Sequence, residues 1–132
     1  MLQQGRVAHL GLLDDRELPR VLPVTFALHD EALWTAVDRK PKSRPESDLA
    51  RLRFLRRRPQ VALTVDRYEE DWTRLVWVQV LGEASVLEAS ECPDALDALT
   101  GKYDQYRATP PPGPLIRIDP HRILSWRATG DD

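Results

Sequence analysis

Cysteine is nearly absent: Cys92 stands alone among 132 residues, which excludes an intramolecular disulfide and any zinc site built on a cysteine pair. A reducing compartment is the natural expectation. Long apolar runs are missing too. Nothing approaches the roughly 20 apolar residues of a membrane span, and Met1 to Gly11 shows no charged stretch leading into an apolar one, so no membrane segment is expected and a cytoplasmic placement follows. Glycine is scarce, at six against eleven prolines. None of the six builds a phosphate-cradling fingerprint, and there is no serine elbow and no metal-ligand spacing, so no metal is expected. His9, His29 and His121 fall in three separate elements, and a lone histidine without a neighbouring ligand reads as structural or exposed. Cys92 precedes a proline at a predicted helix start, where it reads as a small buried residue rather than a reactive thiolate. Catalytic residues are therefore not assigned.

What is present suits one folded unit. At 42% hydrophobic and 30% charged residues, the chain has material for one core, and a domain of this length buries roughly two-thirds of its unfolded surface. Residues 1–132 read as a single domain. The net charge of −2 hides an asymmetry, because residues 39–58 carry nine Lys/Arg against two Asp/Glu, or +7, on an otherwise acidic protein. Such a concentration points to a local anion site, with a solvated helix face as the plainer alternative. Aromatic residues do not interleave with these arginines as single-strand stacking requires, so no nucleic-acid partner is expected.

Three short apolar runs, Val7–Leu13, Val21–Leu28 and Leu33–Val37, read as strands joined by hairpin turns. In the second, alternation places Val24, Phe26 and Leu28 on one face and Thr25 and Ala27 on the other, with Pro23 marking a bulge or an edge. Ser43-Arg44-Pro45-Glu46 has the spacing of a capping box, and Leu49, Leu52 and Leu55 follow at helical spacing until Pro59. Val61–Val65, Leu75–Leu81 and Glu83–Leu87 read as three more strands. On the Leu75–Leu81 strand, Val76, Val78 and Val80 form one face while Leu75, Trp77 and Gln79 form another too apolar to stand in water. A second helix is predicted from about Pro93 to Tyr106, then strands at Leu115–Ile118 and Ile123–Arg127, and a frayed tail after Thr129. The pattern predicts a mainly β fold, a β-barrel with peripheral helices.

The order of several blocks is similar to that of a known family. Pro23-Val24-Thr25-Phe26-Ala27-Leu28 is followed by Leu33-Trp34-Thr35-Ala36-Val37-Asp38-Arg39-Lys40-Pro41-Lys42, by Arg58-Pro59-Gln60-Val61-Ala62-Leu63 and by Asp71-Trp72-Thr73-Arg74-Leu75-Val76-Trp77-Val78. Leu81-Gly82-Glu83-Ala84, Lys102-Tyr103-Asp104-Gln105-Tyr106 and the proline-rich stretch ending at Pro114 complete the series. Over nearly its whole length the chain resembles the split β-barrel, FMN-binding proteins related to pyridoxamine-phosphate oxidase, and within them the oxidoreductases that use the deazaflavin coenzyme F-420. It departs from them in lacking a short N-terminal helix, in having no glycine in the Asp14–Leu18 turn, and in placing Pro45 at the start of the basic helix.

The resemblance implies a homodimer with flavin or deazaflavin cofactors in grooves between subunits, and an enzyme that passes a hydride from reduced deazaflavin to an unsaturated or conjugated small-molecule acceptor. FMN is the alternative cofactor, and a non-catalytic cofactor carrier the alternative function. It implies that the loop from Thr35 to Lys42 cradles the cofactor phosphate. Lys40 and Lys42 are the first candidates, followed by Arg39 and Ser43, with the helix arginines reaching an acidic tail. A strand end followed by clustered cations and a helix N-terminus suits an anion on physical grounds as well. Pro23, Val24 and Thr25 correspond to the strand beside the cofactor ring, and a plain edge strand explains them equally. Trp77 lines either the ring or the dimer seam.

Overall fold

A computed structural model of the chain describes residues 1–37 and 45–128, the side chains of residues 45–49 excepted. Seven strands, β1 (Ala8–Leu13), β2 (Pro19–Val24), β3 (Ala27–His29), β4 (Ala32–Ala36), β5 (Gln60–Arg67), β6 (Val76–Leu87) and β7 (Leu115–Arg127), form one sheet in the order β2-β1-β5-β6-β7-β4-β3. All pairings are antiparallel. The helices are α1 (Pro45–Arg57), α2 (Pro93–Lys102) and α3 (Asp104–Ala108), and among the described residues none is long and apolar enough to cross a membrane.

One feature of this order closes the sheet. β2 and β3 are its two opposite edges, yet only Thr25 and Phe26 separate them in the chain. Consecutive Cα atoms lie about 3.8 Å apart, so Val24 and Ala27 are within roughly 11 Å of each other. The sheet must therefore curl until its edges nearly meet, without a ladder between them. The result is a barrel split along one seam, as expected from the sequence, and Thr25-Phe26 bridges that seam.

The split corrects the alternation expected for Val21–Leu28. Phe26 and Ala27 are both buried, in different clusters, while Leu28 is exposed. Phe26 fills the barrel interior with Leu10, Leu33, Leu63, Val80, Ile116 and Ile118, which Leu52 and Leu55 of α1 close at one end. Ala27 joins Trp34, Ala36 and Leu115 beneath Ala95, Leu99, Tyr103 and Tyr106 of α2 and α3. Covered on both faces, β4 is buried at every position.

Other elements are longer or more divided than the pattern suggests. The two strands expected over Leu75–Leu87 are one strand that shifts register at Leu81/Gly82. A side chain at Gly82 would run into the Asp119 carbonyl of β7, and Pro120, which lacks an N–H, lies opposite it, so the ladder bends there instead of ending. The two final strands likewise merge into β7, whereas the helix expected over Pro93–Tyr106 breaks at Tyr103, whose extended backbone caps α2 and starts α3. The Asp14–Leu18 turn manages without glycine because Glu17 adopts φ 61° and the Asp14 carboxylate accepts from the N–H groups of Arg16 (2.9 Å) and Leu18 (3.0 Å). The Ser43-Arg44 half of the capping box and the tail after Thr129 lie outside the described residues.

Candidate functional site

The seam is where the candidate ring-binding strand ends. Pro23 is exposed on edge strand β2, the edge position its missing N–H suggested. Val24 is buried against the barrel interior, which leaves its backbone as the part that a flat ring could approach. Thr25 is half-buried, and its hydroxyl shares a 2.6 Å hydrogen bond with the Tyr106 hydroxyl of α3. The backbone of Phe26, outside any ladder, is served by Tyr103. The Phe26 N–H donates to Tyr103 Oη (3.1 Å), and that hydroxyl has the Arg6 carbonyl (2.8 Å) and the Phe26 carbonyl (3.1 Å) as acceptors for its proton. Two tyrosines thus hold the seam from behind.

Across the barrel, β4 leads from this region to the cation-rich loop. Thr35 is almost wholly buried and, among the described residues, its Oγ1 has no hydrogen-bond partner. A buried hydroxyl without a partner is costly, and this one sits near the end of β4, shortly before the segment that carries the candidate cations. Arg39, Lys40, Lys42 and Ser43 lie outside the described residues.

Of the arginines expected to reach an acidic tail, Arg53 and Arg57 of α1 and Arg58 just after it have partners in the turn between β1 and β2. Asp15 accepts from Arg53 (2.9 and 3.2 Å) and from Arg57 (3.0 Å), Glu17 pairs with Arg58 (3.4 Å), and Arg58 also donates to the Asp14 carbonyl (3.3 Å). The Arg53 guanidinium beside Asp15 holds that carboxyl below its usual range, and Arg57 adds to the effect. Asp14 is lowered chiefly by the Leu18 N–H, with further help from Arg16 and Arg20. Next to this network, a cleft of about 350 Å³ runs between β2 and α1, lined by Leu12, Val21, Leu22, Ala50 and Phe54 with Arg20 and Arg51.

Trp77 lies on a different surface from the seam. It is partly exposed opposite Trp126 of β7, with Asp66 of β5 on its other side. His9, Thr64, Asp66, Trp77 and Gln79 line an open depression of about 490 Å³ on this outer face. Pro23 shares the face but is three strands from Gln79, through His9 and Thr64. At about 4.8 Å per strand that is roughly 14 Å, so Trp77 and Pro23 do not meet within one chain.

A family model for pyridoxamine 5'-phosphate oxidase matches residues 1–127. The chain belongs to this family. Among solved structures it is similar to an FAD-binding protein from Mesorhizobium loti (19% identity, 94% of this chain and 87% of that one, TM-score 0.68). It is also similar to a conserved hypothetical protein from Mycobacterium tuberculosis (22%, 95% and 79%, 0.69) and to a heme storage protein from Vibrio cholerae (15%, 92% and 86%, 0.70). At these identities the likeness is one of fold. Curated proteins contain no significant match.

In this family member the seam residues that sequence reasoning missed are Tyr106, Lys102 and the polar role of Tyr103, which reads from spacing as an ordinary core residue. Their only signal was the Lys102-Tyr103-Asp104-Gln105-Tyr106 block. Lys102 is unusual. Its Nζ is inaccessible, has no hydrogen-bond partner among the described residues, and lies 3.7 Å from the centre of the Phe26 ring and 5.4 Å from that of Tyr103. Burial, aided by the Arg6 charge, lowers its pKa to about 8. Cys92 is half-buried rather than buried as expected, and desolvation, with Glu91 adding to it, pushes its thiol up rather than down. Among the described residues no group of His, Cys, Asp or Glu is arranged to hold a metal ion.

Proposed function

We propose that this family member is a cytoplasmic oxidoreductase of the deazaflavin branch. It binds coenzyme F-420 in a groove completed by a second copy of the chain, and uses the reduced form to pass a hydride to an unsaturated or conjugated small-molecule acceptor. The observation that carries this reading is the seam. Edge strand β2 ends at Val24, Tyr106 and Tyr103 brace Thr25 and Phe26 just beyond it, and Arg20 of the same strand lines a cleft with Arg51 of α1. The bound cofactor would supply the redox chemistry, and the chain's own residues would place it. In this reading Lys40 and Lys42, with Arg39 and Ser43, hold the phosphate, and the Thr35 hydroxyl, which has no hydrogen-bond partner among the described residues, supplies a further donor. Pro23, the Val24 backbone and Thr25 lie along the ring.

The homodimer is supported by the outer face, where Trp77 and Trp126 remain exposed as a directly paired couple on adjacent strands. Indole pairs of this kind suit an interface centre more than open water. A second copy would also bring one chain's Trp77 toward the other chain's Pro23, which a single chain leaves three strands away. Pairing of Arg53, Arg57 and Arg58 with the acidic turn argues against a track for nucleic-acid phosphates.

Titration of the purified protein with deazaflavin F-420, FMN, FAD and hemin tests the proposal, with light scattering in parallel. Tightest binding of the deazaflavin to a particle of twice 15.1 kDa is the expected result. FMN that co-purifies stoichiometrically, or that binds tighter at every salt concentration, would move the protein to the FMN alternative. Binding without turnover of any conjugated acceptor would favour the carrier.

A further inference from the structure

We propose that Tyr106 is a positioning residue of the cofactor site, acting by fixing the Thr25 hydroxyl at the barrel seam; the proposal rests on the reading that Thr25 lies along the cofactor. Thr25 and Phe26 belong to neither flanking strand, so no ladder holds them. The β-branched Thr25 side chain has few χ1 rotamers, and outside any ladder the choice among them follows the partner its hydroxyl finds. Tyr106 settles it. Its ring is buried beneath the sheet, packed edge-on against Tyr103 at 5.6 Å between centroids, and its hydroxyl meets Thr25 Oγ1 at 2.6 Å. A bond this short between two hydroxyls, anchored on a buried ring, gives Thr25 one orientation.

The geometry also explains why the helix breaks where it does. A continuous helix through Tyr103 would keep that residue helical, whereas the extended backbone at Tyr103 starts α3 afresh and turns both hydroxyls toward the seam. Tyr103 then holds the Phe26 backbone while Tyr106 holds the Thr25 side chain. The division of labour separates a structural grip from a positioning one. Whatever lies against Thr25 meets a side chain already held in one rotamer by a hydrogen bond, which lowers the ordering cost of binding.

The test is a cycle of Tyr106→Phe, Thr25→Val and the double variant, each titrated with deazaflavin F-420 and with FMN, following affinity and the visible absorption of the bound cofactor. Thr25→Val should weaken binding about tenfold and Tyr106→Phe about three- to tenfold. The double variant should be no weaker than Thr25→Val alone. The bound cofactor's spectrum should shift in Tyr106→Phe toward that seen in Thr25→Val. Thr25→Ser, which keeps the hydroxyl, should bind like the parent protein and guards against a folding defect in the other variants. If Thr25→Val weakens binding while Tyr106→Phe leaves affinity and spectrum unchanged, or if the two effects simply multiply, positioning by Tyr106 is overturned and the site stands. If Thr25→Val binds both cofactors like the parent, the site reading fails and the proposal falls with it.

Discussion

Two regions of this molecule gather polar and charged side chains and use them in opposite ways. Between α1 and the β1–β2 turn, arginines and carboxylates meet at 2.9 to 3.4 Å on an exposed surface. At the seam, Tyr103, Tyr106, Thr25 and Lys102 make fewer contacts, but most of the atoms involved are hidden from water. The first network is crowded and contributes little, because water competes for each ion and side-chain entropy opposes each pair. The second is sparse and matters more, because a group that loses its partner there has no water to replace it. Density of contacts is thus a poor guide to which region holds the fold and the site.

The largest expected effect is at the seam. Tyr103→Phe removes a hydroxyl that serves the Phe26 N–H and gives its own proton to a carbonyl, so a buried donor is left without a partner. We expect a loss of about 1–3 kcal/mol in urea unfolding. A loss indistinguishable from that of an exposed substitution would show that water reaches the seam and would erase the contrast.

Lys102→Met probes the same region with the opposite sign. The Lys102 amine carries the cost of burial, offset in part by its cation–π contacts with Phe26 and Tyr103, and Arg6, 4.7 Å from the Tyr103 ring centre, adds repulsion. Its folded pKa of about 8 is below the ordinary 10.5, so the unfolded chain binds the extra proton between those values and stability rises with pH across that window. Below pH 8 the full cost is present. Lys102→Met should therefore be more stable than the parent at pH 7, by about 1 kcal/mol once the cation–π attraction and solvent screening are allowed for. The advantage should fade as pH rises from about 8 toward 10.5. A destabilised variant with an unchanged pH slope would mean that the amine is held charged by its aromatic neighbours.

How far these regions could be read in advance follows the same division. The barrel, its edge at Pro23 and the two-faced strand around Trp77 were legible, because alternation and breakers report burial directly. The seam was not. Alternation through Val24, Thr25 and Phe26 assumes one continuous strand, and no local signal says that the chain leaves one edge of the sheet and enters the other within two residues. The arginine helix was legible as a charge run, but its partners Asp15 and Glu17 lie about forty positions away in sequence, so the pairing that occupies it appears only in the fold. Tyr103 and Tyr106 were hidden by their own periodicity, which a core helix explains without any hydroxyl.

The smallest effects belong to the exposed network, and they decide where an anionic tail can run. The Arg53 bond lowers the Asp15 pKa, so its pairs are fully present above the ordinary value of 3.8 and are lost only as pH falls through the lower folded one. At neutral pH Arg57 is already engaged, whereas Lys42 has one sequence neighbour, Pro41, between it and another cation. Lys42→Ala should therefore lower deazaflavin affinity about tenfold or more, the scale of one charge-assisted contact, while Arg57→Ala should stay within about twofold. Asp15→Asn releases both guanidinium groups without adding a contact. It should change the unfolding midpoint less than Lys102→Met does and raise deazaflavin affinity about two- to threefold at low salt, a gain that should vanish near 0.5 M salt, where exposed charges are screened within a few ångströms. If Arg57→Ala instead matches Lys42→Ala, the tail displaces the Asp15 carboxylate and runs along α1. The two regions would then be coupled through the ligand, and the acidic turn would act as its competitor rather than as a passive clamp.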